Sequence, residues 1–187
     1  MRRRSLIAAA AVSPLPVWAP QPVRAQGTDL ENTIYLDLKQ GRVVIQLLPD
    51  VAPKHVERIK ALSRQGFYDG IVFHRVIEGF MAQSGDPTGT GMGGSKLPNL
   101  EPEFSNSRQF LRGVCGMARS QAPNSANSQW FIMFAPGAGL NGQYTIWGQV
   151  VKGMEFVDQI KRGTGSNGQV VGEPDRIVRM RVAADVK

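Results

Sequence analysis

An arginine set among apolar residues, Phe73-His74-Arg75-Val76-Ile77, is the first segment whose residue types suggest chemistry. Alternate residues of a strand share a face, which groups Phe73, Arg75 and Ile77, and after the Glu78-Gly79 turn come Phe80, Met81 and Gln83. Farther on, Gln129-Trp130-Phe131-Ile132-Met133 places Gln129, Phe131 and Met133 together by the same rule. Charged groups are rarely buried unpaired, so Arg75 calls for a carboxylate among the 15 acidic residues or for a ligand. Taken singly, the aromatic and Met residues fit a core equally well, and the glutamines fit an ordinary surface. Taken together, an arginine, two amides and a set of aromatic and Met side chains predict an apolar pocket rimmed by hydrogen-bond donors.

Other chemistries find less support. The single cysteine, Cys115, rules out an intrachain disulfide framework and a multi-cysteine zinc site, and it reads as a small buried hydrophobe. His55 and His74 are too few for a metal site without a carboxylate at matching spacing, and no H-x-x-x-H, H-E-x-x-H or G-x-S-x-G pattern occurs. His74 is expected to be structural, facing away from Arg75 across the strand. Gly89-Thr90-Gly91-Met92-Gly93-Gly94 has the letters of a dinucleotide fingerprint, yet Ser95-Lys96-Leu97-Pro98-Asn99 opens no helix after it. The segment reads as a flexible loop.

The elements that must position these groups are mostly short strands. Residues 34–38 and 43–48 form a predicted β-hairpin around Lys39-Gln40-Gly41. Pro53 suits the first turn of a helix, in which Val56, Ile59 and Leu62 recur at helical spacing until Gly66 stops it. A second helical interval over residues 153–161 aligns Met154, Val157 and Ile160. Further strands are expected at residues 72–77, 80–83, 113–118, 129–133, 145–150 and 177–182. Many strands with Gly and Pro turns and few helices predict a mainly β fold, a closed antiparallel barrel or sandwich. No internal repeat or linker divides the chain.

Three ordered motifs carry a resemblance. They are Phe73-His74-Arg75-Val76-Ile77 with Gly79-Phe80-Met81-Ala82-Gln83-Ser84-Gly85-Asp86; Pro123-Asn124-Ser125 leading to Ser128-Gln129-Trp130-Phe131-Ile132; and Leu140-Asn141-Gly142-Gln143-Tyr144-Thr145-Ile146-Trp147-Gly148. In these motifs, and over roughly residues 31–184, the sequence resembles the cyclophilin family of peptidyl-prolyl cis-trans isomerases. The resemblance implies a closed eight-stranded antiparallel barrel capped by two α-helices, with the substrate groove on its outer face. It implies that Arg75 is the catalytic arginine, that Phe80, Met81, Phe131 and Leu140 form the proline pocket, and that Gln83 and Gln129 are hydrogen-bonding partners. It further implies that Tyr144, where members carry histidine or tyrosine, serves at the pocket edge and that the backbone from Ala118 to Gln121 pairs with the peptide. Gly139 occupies the position of a tryptophan in well-known members, which puts cyclosporin sensitivity in question and touches catalysis less. The resemblance also implies a monomer that needs no metal or cofactor and binds proline-containing, unfolded or partly folded polypeptides. A proline-peptide binder or chaperone with negligible catalysis is the alternative reading.

The chain's ends and charge bear on where this happens. Its 187 residues favour one domain, and 42% hydrophobic with 20% charged residues supply a core. A formal charge of +7 suggests by itself a nucleic-acid or anionic-surface partner. Yet Met1-Arg2-Arg3-Arg4, an apolar run over residues 6–12 and Val23-Arg24-Ala25 follow the order of an export signal, with a predicted cut between Ala25 and Gln26. General secretion fits better than the twin-arginine route, and the apolar run falls short of the roughly 20 residues that span a bilayer. Four of the 22 basic residues and none of the 15 acidic ones lie within residues 1–25, so residues 26–187 carry a formal charge of +3. The expectation is therefore a signal peptide over residues 1–25 and an exported, periplasmic isomerase domain over residues 26–187, with no nucleic-acid partner and no membrane insertion after cleavage.

Overall fold

The computed structural model describes residues 29–186, so the expected signal peptide and its cleavage site lie outside the described residues. Strand β1, Thr33–Leu38, and strand β2, Gly41–Leu47, form the expected hairpin, with Tyr35 opposite Val44. Their alternation turns Ile34, Leu36, Val43, Ile45 and Leu47 inward, each buried. Burying such a side chain contributes about 1.5–3 kcal/mol. Helix α1, Pro53–Arg64, lays Val56, Ile59 and Leu62 on the same core. Its first turn has no cap of its own; the Glu103 carboxylate accepts from the N–H groups of Lys54 (3.1 Å) and His55 (3.0 Å) instead. At the other end Gly66 takes the left-handed conformation that closes the helix.

The remaining strands are β3 (Arg75–Ile77), β4 (Met81–Ser84), β5 (Val114–Met117), β6 (Trp130–Met133), β7 (Ile146–Lys152) and β8 (Ile177–Val182). All pairings are antiparallel and the order across the sheet is β3-β4-β6-β5-β7-β2-β1-β8. The sheet curls into a half-barrel, which corrects the expected closed barrel. The cause lies at β3, whose outer edge is taken by the loop over residues 163–170: Val76 N–H donates to Gly168 O (2.7 Å) and Val170 N–H to His74 O (3.0 Å). The edge strand β8 is therefore left without a ladder to β3. Across the gap the chain before β3 meets the start of β8, through the isolated bridge of Val72 and Arg176 and through backbone bonds of Gly70 and Ile71 with Ile177.

Two further expectations are corrected. Helix α2 is a single turn, Met154–Val157, entered from left-handed Gly153. The bonds that follow it, Gln159 N–H to Phe156 O and Ile160 N–H to Val157 O, span three residues rather than four, so the chain tightens into turns while still burying Val157 and Ile160. The strand expected from residue 72 begins only at Arg75, because Phe73 and His74 are both buried and break the alternation. Phe73 thus does not share a face with Arg75. It packs edge-on against Trp130, which also meets Tyr68 and Trp147 edge-on in the centre of the core.

Alternation in β4 and β6 decides what the outer face carries. Ala82, Trp130 and Ile132 point into the main core. Met81, Phe131 and Met133 point the other way and form a second apolar cluster with Phe110, Val114 and Ile146, edged by Phe80, Leu140 and Tyr144. Cys115 lies wholly buried in the main core, and burial pushes its thiol well above the ordinary range.

Candidate active site

The second cluster is the floor of a cavity of about 160 Å³ lined by Arg75, Phe80, Met81, Gln83, Ala118, Arg119, Phe131, Leu140 and Tyr144. Every side chain expected in the site except Gln129 is among them, and of the stretch expected to pair with the peptide Ala118 and Arg119 line it while Ser120 and Gln121 do not. Phe131 stacks on Phe110 with ring centres 5.7 Å apart and meets Tyr144 edge-on at 5.9 Å. Gly116 makes this possible, since a Cβ there would come within 2.4 Å of Phe131 Cζ and 2.6 Å of Phe110 Cε1. Leu140 comes from the 3-10 turn Ala138–Leu140, in which exposed Gly139 has nothing within 4 Å of where a Cβ would stand, so that part of the rim is open.

Arg75 enters from the polar side. It pairs across the ladder with Gln83, which pairs in turn with Phe131. Its Nη1 donates to Gln83 Oε1 (3.2 Å), and its Nε donates to the carbonyl of Asn167 in the loop that covers β3 (2.8 Å). Gln83 Nε2 donates to Gln129 Oε1 (2.8 Å), and Gln129 Nε2 donates to the carbonyls of Gly91 (2.9 Å) and Gly93 (2.8 Å). Gln129 therefore stands one step behind the cavity, orienting the amide that orients the arginine. It also lines a larger neighbouring cavity of about 460 Å³, with Met92, Ser95, Asn99 and Asn127. No carboxylate pairs with Arg75 among the described residues. Burial pulls its pKa down, yet a guanidinium stays charged at any working pH.

The glycine-rich loop is organised where a flexible one was expected. The Asp86 carboxylate accepts from the N–H groups of Thr88, Thr90, Gly91 and Gly93 and from the Thr88 hydroxyl. Burial alone would raise its pKa; the hydrogen bonds from Thr88, Gly93 and Gly91 outweigh it and hold the group at about 2. Two contributors escaped the sequence reading. Arg119 left a signal, a cation directly after Ala118 in the stretch expected to meet the peptide, whereas a backbone carbonyl such as that of Asn167 leaves none. Among the described residues no three His, Cys, Asp or Glu side chains come together as a metal would require.

Residues 33–182 match the family described as cyclophilin type peptidyl-prolyl cis-trans isomerase/CLD. The chain belongs to the cyclophilin family. It is an enzyme, a peptidyl-prolyl cis-trans isomerase. The cyclophilin is 51% identical over 98% of both chains to a probable peptidyl-prolyl cis-trans isomerase of Brucella suis. Its fold is similar to a crystal structure of a cyclophilin from Hirschia baltica, with TM-score 0.74 and 25% identity over 85% of this chain and 76% of that one. It is also similar to a Cryptosporidium parvum cyclophilin crystallised in the presence of the dipeptide Ala-Pro, with TM-score 0.73 and 29% identity over 80% of this chain and 98% of that one.

The cyclophilin's two histidines lie outside both cavities and are buried. Burial lowers the pKa of each; the Glu103 oxygen 2.7 Å from His55 Nδ1 offsets this only in part, and His74 has no hydrogen-bond partner on either ring nitrogen among the described residues. Below the ordinary value of about 6.5 the unfolded chain therefore binds more protons than the folded one. Stability is expected to be full above that pH and to fall between pH 6.5 and 5, before carboxylates titrate. Urea midpoints at pH 7.5 and 5.5 check this, and equal midpoints contradict it.

Proposed function

We propose that this cyclophilin accelerates rotation about X-Pro bonds by stabilising the twisted transition state with Arg75, and that its clients are exported polypeptides still completing their folding. The observation that carries the catalytic part is a charged guanidinium, without a carboxylate partner among the described residues, fixed at the edge of an apolar cavity. Peptide rotation is opposed by amide resonance, with a barrier of about 18–20 kcal/mol. Before proline the two isomers are close in energy and only their exchange is slow. As the bond twists, the prolyl nitrogen loses conjugation and becomes an acceptor it was not before. A donor at that place binds the transition state better than the ground state, which is the condition for raising the rate. Phe80, Met81, Phe131 and Leu140 supply an apolar seat for the ring, and Tyr144 closes its edge. Such a mechanism uses no nucleophile and no proton transfer.

The export part rests on the basic start, the short apolar run and the Val23-Arg24-Ala25 ending, and removing residues 1–25 leaves a mildly basic chain rather than a nucleic-acid binder. Catalysis is tested by exchange spectroscopy on an Ala-Pro peptide with the wild type and Arg75→Ala; equally fast exchange refutes the arginine mechanism, and a wild type as inert as the variant leaves the binder reading. Mass spectrometry of the periplasmic product is expected to show a chain starting at Gln26, and an intact Met1 there refutes the cut.

A further inference from the structure

Arg119 lies at the junction of the two cavities, lining both together with Gln83 and Ala118. The charged residues lining these cavities are Arg75 and Arg119 alone, both cations. Arg42, Arg64, Arg112 and Arg162 each have a carboxylate partner, but Arg119 forms no ion pair among the described residues. Its contacts are with carbonyls: Nε and Nη2 donate to Gln143 O (3.1 and 2.9 Å), and Nη1 donates to Ser120 O (2.9 Å) and Gln121 O (3.2 Å). The guanidinium carbon stands 4.6 Å from the centre of the Tyr144 ring. Carbonyl dipoles and a ring face hold the group still without cancelling its charge. The four bonds leave one of the five guanidinium N–H groups without a partner among the described residues. Asp86 lines neither cavity, and its oxygens are occupied by the N–H groups of its own loop.

We infer that the cyclophilin prefers substrates carrying an acidic side chain within two residues of the proline, with Arg119 as the group that recognises the carboxylate. The inference rests on the reading of the smaller cavity as the proline site. An extended chain advances roughly 3.3 Å per residue, so a side chain one or two places from a seated proline reaches the neighbouring cavity. There Ser95, Asn99 and Asn127 add polar groups to the lining. A guanidinium already held in place loses little freedom on binding, so more of the charge attraction is kept.

The test uses capped, otherwise uncharged peptides with Glu or Gln at each of the two positions on either side of proline, and reads the Glu/Gln ratio of kcat/KM. At low salt the wild type is expected to favour Glu about three- to fivefold at one position or more, the range of an exposed ion pair. In Arg119→Gln, whatever its basal activity, the ratio drops to about one, and Arg119→Lys keeps part of it. In the wild type, high salt also lowers the ratio, a measurement that stands even if Arg119→Gln fails to fold. A wild-type ratio of one at all four positions, or a preference unchanged in Arg119→Gln or by salt, overturns the inference. Turnover of the Gln peptides, compared with Arg75→Ala, separates the two readings. If it depends on Arg75 while the ratio stays at one, only the inference about Arg119 falls; if it does not depend on Arg75, the proline site itself is misassigned.

Discussion

Arg75→Ala is expected to lower kcat/KM for an Ala-Pro peptide by about 100- to 1000-fold, the cost of removing one donor that the proposed mechanism aims at developing transition-state charge. The loss is expected to fall on kcat, because in the proposed mechanism the prolyl nitrogen accepts the bond only as the peptide twists, and KM is expected to change little, since the apolar seat is intact. Folding survives. Arg75 is half-buried, and its removal leaves Asn167 O and Gln83 Oε1 without their donor, a cost of about 1 kcal/mol. A wild-type near-ultraviolet circular dichroism spectrum together with the loss in kcat separates catalytic from structural damage. A parallel rise in KM with unchanged kcat places Arg75 in ground-state binding and rejects the mechanism. Arg75→Lys recovers little, because a single ammonium cannot hold both the Nε bond to Asn167 and the Nη1 bond to Gln83.

Asp86→Ala is expected to destabilise the protein by about 3 kcal/mol, through loss of charged hydrogen bonds in a buried setting. Four backbone N–H groups and a hydroxyl converge on this carboxylate. Without it the loop no longer presents Gly91 O and Gly93 O to Gln129, and the order passed through Gln83 to Arg75 slackens. Kcat/KM is therefore expected to fall by roughly ten- to a hundredfold, on the scale of a small misplacement of a reacting group. Urea unfolding and peptide exchange on the same sample measure both losses. Full stability with full activity shows that the loop holds itself by other means. In the wild type, a folded-state pKa of about 2 against an ordinary value near 3.9 means that this contribution is complete above pH 4 and drains away toward pH 2.

The parts of this molecule that were legible in its sequence are those governed by short-range rules. Period-two alternation put Phe131 and Met133 on one face, with Gln129 just ahead of them, because β6 is regular there. Helix α1 was legible through Pro53, its apolar spacing and Gly66. The same alternation rule failed at Phe73, where the chain before β3 is not a strand, and Trp130 draws its ring into the core. The open edge was illegible for a different reason. Whether β3 meets β8 or the loop over residues 163–170 is a competition between segments about ninety residues apart, and nothing local in Arg75-Val76-Ile77 records the winner.

That open edge has a bearing on how such an enzyme changes over evolutionary time. Inserting or deleting a residue inside a strand shifts every pair beyond it and moves side chains to the wrong face, so most of the sheet resists changes in length. A loop laid against an edge accepts them more readily. Here the loop that seals the edge also supplies the carbonyl that steadies Arg75. On the proposed arginine mechanism, a change in the length or aim of this loop is expected to alter turnover while the ladder order and the core stay as they are, so that rate and stability could be changed separately.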